Sequence, residues 1–240
     1  SVSAFLLNRS SDLAIDFSQG DSLFMHADTF KIVTFNIDTD SMFRKIHAFH
    51  KVRAYRTDVQ AVCDSLVYNS LDSCMTMYYD PIVWNKNQQL VGDRIEVFLK
   101  DSVIDHAHII DNCFSIQQLR SDTTCFNQVV SKQMFAYFVD GNIRETQAKD
   151  NVLIGYYFEE GDSVPIIYNY QETSELRMYL KDRKLEKVWT PKTTGTMYPL
   201  NQIPADRKQL PGFVWYNYVR PLDRYDIFNW RPKKKVLADE

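Results

Sequence analysis

The histidines are the side chains of this sequence that could bind a metal ion. His106 and His108 are two residues apart and would share one face of a strand, and His47 aligns with His106 in an earlier segment. Asp105 and Asp111 are close to them only along the chain. We therefore predict surface or partly buried histidines, with no metal site and no cofactor.

The cysteines could form disulfides in an oxidising compartment, because their number is even. None of them has the C-x-x-C spacing that a zinc ribbon or a thioredoxin-type site needs. The interpretation that the sequence favours is four buried free thiols, because free cysteine packs as a small hydrophobe. Their pairing stays open for Cys63, Cys74, Cys113 and Cys125.

Catalytic motifs are missing from the sequence: it contains no GxGxxG, GxSxG, HExxH or Walker pattern. The adjacent acids Glu159 and Glu160 precede Gly161-Asp162, which is typical of a loop and does not set two carboxyls across a cleft. We therefore predict that the chain is not an enzyme.

The overall composition excludes two further classes of protein. A net charge of −3 and a pI near 6.0 give no electrostatic basis for binding nucleic acid. No stretch approaches the roughly 18 consecutive apolar residues of a membrane-spanning helix. The first residues are too short an apolar run for a signal peptide and lack a basic start, so we interpret the N-terminus as a processed end.

The secondary structure of the chain is indicated by a repeat in its sequence. Four segments have apolar residues at positions one and three, usually also at five, an Asp at seven and an apolar residue at ten. Alternation describes a strand with one buried face, and Asp with its neighbours supplies turn chemistry. Each segment therefore predicts a β-hairpin; the segments are 66–75, 95–104, 134–143 and 176–185, with a looser copy from Phe30.

A second turn signal follows three of these segments, at Asp80-Pro81, Asp111-Asn112 and Asp150-Asn151. Each precedes another apolar run, which predicts a sharp corner and then a further strand. The starting points of the five copies are 36, 29, 39 and 42 residues apart, and this irregular period excludes a strict solenoid. No segment predicts an amphipathic helix of three turns. The fold class is therefore all-β and antiparallel.

The inward positions of the hairpins align in columns that would form one continuous apolar face. Two alternatives remain open from this pattern alone. The face could belong to a closed sandwich with a dry core, or it could line a trough that stays open for an apolar ligand.

Short strand openings in these hairpins resemble the LptA/OstA-like family, which transports lipopolysaccharide across the periplasm. The openings are Cys63–Tyr68 and Gly92–Phe98, which share the pattern small-Asp-x-aliphatic-x-aromatic. Tyr79–Trp84 followed by Leu90–Asp93 resembles the family's linkage between units, and the match covers residues 21 to 190. The resemblance implies an elongated, V-shaped (taco-like) antiparallel β-jellyroll in the periplasm. Its interior would hold lipid A acyl chains, and its sheet edges would pair with other jellyroll domains of a transport bridge, including further copies of itself.

Under this resemblance the aligned columns become the residues that line the trough and bind lipid. These residues are Phe30, Ile32, Leu66, Tyr68, Ile95, Val97, Leu99, Met134, Ala136, Phe138, Leu176, Met178 and Leu180.

The last forty residues depart from the repeat, and we divide the chain into a jellyroll at 1–200 and a Pro/aromatic-rich segment at 201–240. Proline cannot donate to a β-ladder, so we expect this segment to cap the sheet edge or to dock there. Two other functions stay open: a structural or interaction jellyroll with a packed core, and a carbohydrate-binding jellyroll with Trp84, Trp189 and Trp215 stacked on sugars.

Overall fold

A computed structural model describes residues 6–7, 13–16, 22–101, 103–159, 165–181 and 184–233. These residues form an antiparallel all-β fold, as the sequence predicts. The strands are β1 (Leu6–Leu7), β2 (Leu13–Asp16), β3 (Leu23–His26), β4 (Thr29–Phe35), β5 (Phe43–Tyr55), β6 (Val59–Asn69), β7 (Cys74–Tyr78), β8 (Ile82–Asn85), β9 (Gln88–Val91), β10 (Arg94–Lys100), β11 (Val103–Gln118), β12 (Phe126–Val139), β13 (Asn142–Phe158), β14 (Ile167–Lys181), β15 (Lys184–Trp189) and β16 (Thr194–Pro199). Short helical turns follow at Leu200–Gln202, Ala205–Lys208 (α1), Asn217–Val219 and Asp226–Phe228.

The long strands change pairing partners halfway along their length, and this divides the sheet into two half-sheets. The first half-sheet contains β4, β7, β10 and β15 with residues 43–49, 65–69, 103–110, 133–139, 142–149 and 175–181. The second half-sheet contains β1, β2, β3, β8, β9 and β16 with residues 52–55, 59–63, 113–118, 126–131, 152–158 and 167–173. The inner faces of the two half-sheets pack on each other in a β-jellyroll.

Pairs of left-handed residues bend the chain from the first half-sheet into the second, and we call this line the corner. The pairs have φ values between 48° and 65° and lie at His50–Lys51, Tyr79–Asp80, Asp111–Asn112 and Asp150–Asn151. Asp and Asn tolerate the left-handed region better than other residues with a side chain. The sequence signals at residues 80, 111 and 150 therefore coincide with the corner.

The small-Asp strand openings hold the returning strands to this corner. The carboxylate of Asp93 accepts hydrogen bonds from Asn112 Nδ2 at 3.0 and 3.1 Å, and Asp64 lies 3.3 Å from His50 Nδ1. Gly92 must be a glycine, because a Cβ at this position would approach Ile109 Cγ2 to 2.5 Å. The motif thus ties adjacent strands together where the sheet bends.

Two rows of inward side chains cross the first half-sheet in register. The row next to the corner is Phe30, Ala48, Leu66, Met77, Ile95, Ile109, Met134, Ala148 and Leu176. The row farther from the corner is Ile32, Ile46, Tyr68, Met75, Val97, Ala107, Ala136, Thr146 and Met178. The first two columns that the sequence predicts are therefore parts of these two continuous rows.

Residues 200–233, which we call the strap, run across the outer face of the second half-sheet, whereas the sequence analysis assigned this region to a sheet edge. Its prolines cannot complete a β-ladder, so side chains of the sheet bind its backbone instead. Gln128 Nε2 donates to Lys208 O at 2.8 Å, and Gln89 Nε2 donates to Val214 O at 2.8 Å. Arg53 Nη1 donates to Val219 O at 3.0 Å.

Candidate binding groove

The inner faces of the two half-sheets enclose a groove with a volume of about 290 Å³. This volume lies at the lower limit of ordinary small-molecule pockets, which span roughly 300–1,000 Å³. The first half-sheet contributes mainly the two rows described above. The second half-sheet contributes a row of its own, which consists of Met25, Ala54, Ala61, Val83, Leu90, Ser115 and Val129.

Exposure of the lining residues increases with distance from the corner. Near the corner Leu66, Met77 and Ile95 are no more than 4% exposed, so the two half-sheets pack there as a dry core. One row farther out, Val97 and Met178 are only half-buried. The groove is therefore closed along the corner and accessible along its mouth.

Methionine dominates the flexible part of the lining. Five of the seven methionines of the chain line the groove, and both half-sheets contribute to them. The thioether side chain has three rotatable bonds and repacks around ligands of different shape. The groove can therefore accept apolar groups whose contour varies; the methionines are Met25, Met75, Met77, Met134 and Met178.

The two sides of the mouth differ in polarity. On the second half-sheet Arg56 and Asp58 form an ion pair with Nε and Oδ1 2.6 Å apart, and Gln88 Nε2 donates to Ser115 Oγ at 3.0 Å. On the first half-sheet the side chains nearest the hairpin tips are apolar: Leu99, Ile104, Phe138 and Ile143. A ligand with an apolar body and a polar end fits this difference.

Most positions that the sequence predicts for the trough do line this groove: Leu66, Ile95, Val97, Leu99, Met134, Ala136, Phe138, Leu176 and Met178. Phe30 packs against the core at the end of the first row, and Ile32 is 44% exposed on edge strand β4. Tyr68 and Leu180 are half-buried outside the lining. The binding of lipid by these side chains stays a prediction.

Sequence reasoning missed the lining residues on the returning strands and on the second half-sheet. Met75 and Met77 alternate with Cys74 and Thr76, and Ala107 and Ile109 alternate with His106 and His108, so period-two alternation could have found these four. On the second half-sheet both faces are buried, and alternation there is too weak to indicate which face lines the groove.

The histidines of β11 lie on the outer face of the first half-sheet and stack on aromatic rings. The ring of His106 is 4.4 Å from that of Phe98, and the ring of His108 is 4.2 Å from that of Phe135. Within the described residues, no three His, Cys, Asp or Glu side chains are close enough together to hold a metal ion.

All four cysteines are buried free thiols, in agreement with the favoured interpretation. Burial raises the pKa of Cys63 to about 12, and burial likewise raises that of Cys113 to about 12. The thiolate is the nucleophilic form of cysteine, so at neutral pH these two thiols are unreactive. They contribute packing near the corner.

The three tryptophans proposed for sugar stacking differ in their accessibility. Trp84 is fully buried under the strap, where its Nε1 donates to Gln89 Oε1 at 3.3 Å. Trp215 packs against Phe126 with ring centroids 5.4 Å apart. Trp189 is 41% exposed, and Arg177 lies over its ring at 5.3 Å.

Among the described residues, no helix has the length and hydrophobicity needed to cross a membrane.

No protein-family model matches the chain, and no curated protein matches it in sequence. Among solved structures it is similar to LptH, the LptA homologous periplasmic component of the conserved lipopolysaccharide transport device from Pseudomonas aeruginosa. The two chains are 11% identical, the alignment covers 58% of this chain and 93% of LptH, and the TM-score is 0.42.

Proposed function

We propose that this chain is a lipid-binding transport protein that shields acyl chains in the groove, and that its cargo is lipopolysaccharide in the periplasm. One observation carries the proposal: two in-register rows of apolar side chains face the opposite half-sheet and become accessible towards the mouth. Each methylene that leaves water contributes roughly 0.8 kcal/mol, so acyl chains supply ample binding energy without specific hydrogen bonds.

The composition of the mouth supports a cargo with two chemically different ends. Acyl chains would lie between the methionine-rich walls, and the polar head would remain beside the side that carries Arg56, Asp58, Gln88 and Ser115. Contacts of this kind tolerate variation in chain length, and they permit release as well as binding.

A jellyroll with a fully packed core is less compatible with these contacts. A packed interior would bury its second row of side chains as completely as its first, since protein interiors reach the density of organic crystals. Val97, Ala136 and Met178 in the second row are only half-buried, whereas Ile95 in the first row is 1% exposed. The difference favours a groove over a closed core.

Sugar binding is also poorly supported. Sugars stack on the flat faces of aromatic rings, but the outer rings of the first half-sheet stack on each other, as Phe98 and His106 do with an interplanar angle of 11°. Neighbouring rings therefore occupy faces that a sugar would need, as also for His106 with Tyr137 and His108 with Phe135.

Sheet edges at both ends of the molecule fit the second part of the proposal, which is assembly into a bridge between two membranes. Within the described residues β15 and β16 pair only with β14, and β4 pairs only with β5. The edge formed by β15 and β16 exposes large apolar side chains: Leu185 is 47% exposed, Val188 51% and Met197 63%. Open edges of this kind can add a strand from another jellyroll domain or from a second copy.

Photocrosslinking distinguishes the groove from the outer surface. A photoreactive residue at Phe138 or Met178 should crosslink to lipopolysaccharide in cells, because both positions line the groove. Tyr137 and Tyr179 are the matched controls, since each is adjacent to a groove position on the same strand and points to the outer face. Adducts from the control positions with none from the groove positions would refute the proposal.

A charge placed in the groove should reduce binding. Met178→Asp is expected to weaken the binding of an acyl-chain probe at least about tenfold, because a carboxylate beside hydrocarbon loses its hydration. Tyr179→Asp places the same charge on the outer face of the same strand and should leave affinity unchanged. Probe fluorescence measures both, and equal losses in the two variants would contradict a groove site.

A further inference from the structure

The end of the strap exposes a cluster of large apolar side chains that the groove does not explain. Leu222 and Tyr225 are 68% and 65% exposed, and Phe228, Tyr218 and Trp230 are 47%, 39% and 38% exposed. Single exposed apolar side chains are ordinary, but a group of five between residues 218 and 230 indicates an interaction surface. We call these five residues the strap-end patch.

Buried contacts hold this patch in place. Val219 and Ile227 are fully buried against the sheet, and Asp226 accepts hydrogen bonds from the Leu222 amide at 2.9 Å and from Arg231. Arg53, which is also fully buried, reaches Asp226 Oδ2 at 3.5 Å. The segment is thus anchored through its inward residues, and its outward residues are presented on a fixed backbone.

The segment that carries the patch is rich in basic residues. Residues 218–233 contain four basic side chains against two acidic ones, in a chain whose net charge is −3, and the sequence continues with Lys234 and Lys235. Of the two acids, Asp226 is paired with Arg53 and Arg231. Arg224 is exposed and lies over the ring of Tyr225 at 4.7 Å.

We infer that the strap-end patch docks on the surface of an anionic lipid bilayer. Trp and Tyr prefer the interface between water and hydrocarbon, and Lys and Arg are attracted to anionic head groups. A rigid surface that combines both residue types matches the chemistry of such a membrane. The inference goes beyond the proposed function, since it concerns the outer face and not the groove.

A second exposed apolar cluster in the same chain provides the control. Ile37 and Leu71 are 64% and 67% exposed at the hairpin tips of the first half-sheet, beside Asp38, Asp40 and Asp72. The two apolar side chains of this tip cluster are as exposed as Leu222 and Tyr225 of the strap-end patch, but their neighbours are acidic, so an anionic bilayer should repel the cluster.

Sedimentation of the full chain with lipid vesicles tests the inference. The protein should bind vesicles of phosphatidylcholine mixed with phosphatidylglycerol, bind pure phosphatidylcholine vesicles far less, and dissociate as salt is raised. The double variant Leu222→Ser/Tyr225→Ser should lose about tenfold in partitioning, because it removes several methylene equivalents of buried area. Ile37→Ser/Leu71→Ser should bind like the wild type.

Further variants keep the test decisive. Arg224→Glu preserves every apolar side chain of the patch and should weaken binding to anionic vesicles only. Met178→Asp should retain vesicle binding, which separates this surface from the groove. The inference is overturned if the wild type does not sediment with anionic vesicles, if both double variants lose binding equally, or if the patch supports only self-association in analytical ultracentrifugation.

Discussion

The two half-sheets share the same strands but present opposite outer faces. In the second half-sheet the outward side chains Gln60, Gln89 and Gln128 are at most 3% exposed, because the strap covers them. In the first half-sheet the outward side chains of His106 and His108 are 34% and 24% exposed, and no part of the described chain covers them. One half is therefore a layer between groove and strap, and the other is a wall between groove and solvent.

This difference shows how one sheet satisfies polar groups in two environments. Outward polar residues of the first half-sheet remain hydrated, so each contributes little to stability. Outward polar residues of the second half-sheet are dry, and each must find a partner on the strap backbone. Substitutions at equivalent positions should therefore lower the free energy of unfolding by very different amounts on the two faces.

The largest expected effect comes from the buried ion pair between the sheet and the strap. Asp226→Ala leaves the Arg53 guanidinium buried without its carboxylate and should destabilise the protein by about 3–5 kcal/mol. Glu175→Ala breaks the exposed pair with Arg177 on the other outer face and should cost only about 0.2–1 kcal/mol. Urea unfolding measures both, and similar losses would abolish the distinction between the faces.

Acid should weaken the same contact. Burial acts to raise the pKa of Asp226, but hydrogen bonds from Arg231, the Leu222 amide and Asn229 outweigh it and hold the pKa below its ordinary value. A lowered pKa stabilises the fold above the unfolded value of about 3.9, and this contribution is lost as the pH falls through the folded value. Unfolding of Asp226→Asn should lack this dependence on pH; an unchanged acid limb would contradict the assignment.

Two glutamines on β12 provide a comparison of intermediate size. Gln128 Oε1 accepts from the Leu210 amide at 2.9 Å and its Nε2 donates to Lys208 O, so Gln128→Ala should cost about 1–3 kcal/mol through buried unpaired groups. Gln133, on the uncovered outer face, has a 3.4 Å contact with His108, and its replacement by Ala should stay within about 0.5 kcal/mol. Thermal unfolding of the two variants side by side would reveal any reversal of this order.

A small effect is also expected among the stacked rings of the uncovered face. Phe98→Ser removes the ring that stacks on His106 at 4.4 Å and should destabilise the protein by about 0.5–1.5 kcal/mol. Acyl-chain binding should not change, because Phe98 points away from the groove. A loss as large as that of Asp226→Ala would indicate that this face is covered in solution.

The first half-sheet could be predicted from sequence because only one of its faces is buried. Alternation in Ile95–Leu99 and Met134–Phe138 marks the inward residues directly, and Asp101 and Asp140 mark the turns, where both adopt a positive φ. The corner dipeptides, such as Asp111–Asn112, were also readable, because Asp and Asn favour that backbone conformation.

The second half-sheet and the strap could not be predicted in the same way. Both faces of the second half-sheet are covered, so apolar residues such as Val62 and Ile82 occur on its outer face and obscure the alternation. The course of the strap depends on side-chain contacts to residues more than 80 positions away, such as Gln128 to Leu210, which local patterns do not encode. Polar residues at the groove mouth, such as Gln88, were missed for the same reason.

The corner has a consequence for how the groove could adapt to its contents. Each wall continues into the other through strands β5, β6, β11, β12, β13 and β14, so the continuous chain opposes sliding of one wall along the other. The angle between the walls can still change. It depends on the backbone torsions at the corner, at His50–Lys51, Asp111–Asn112 and Asp150–Asn151. A bulkier ligand would therefore widen the mouth of the groove along its whole length. The register of the opposing side chains would stay unchanged.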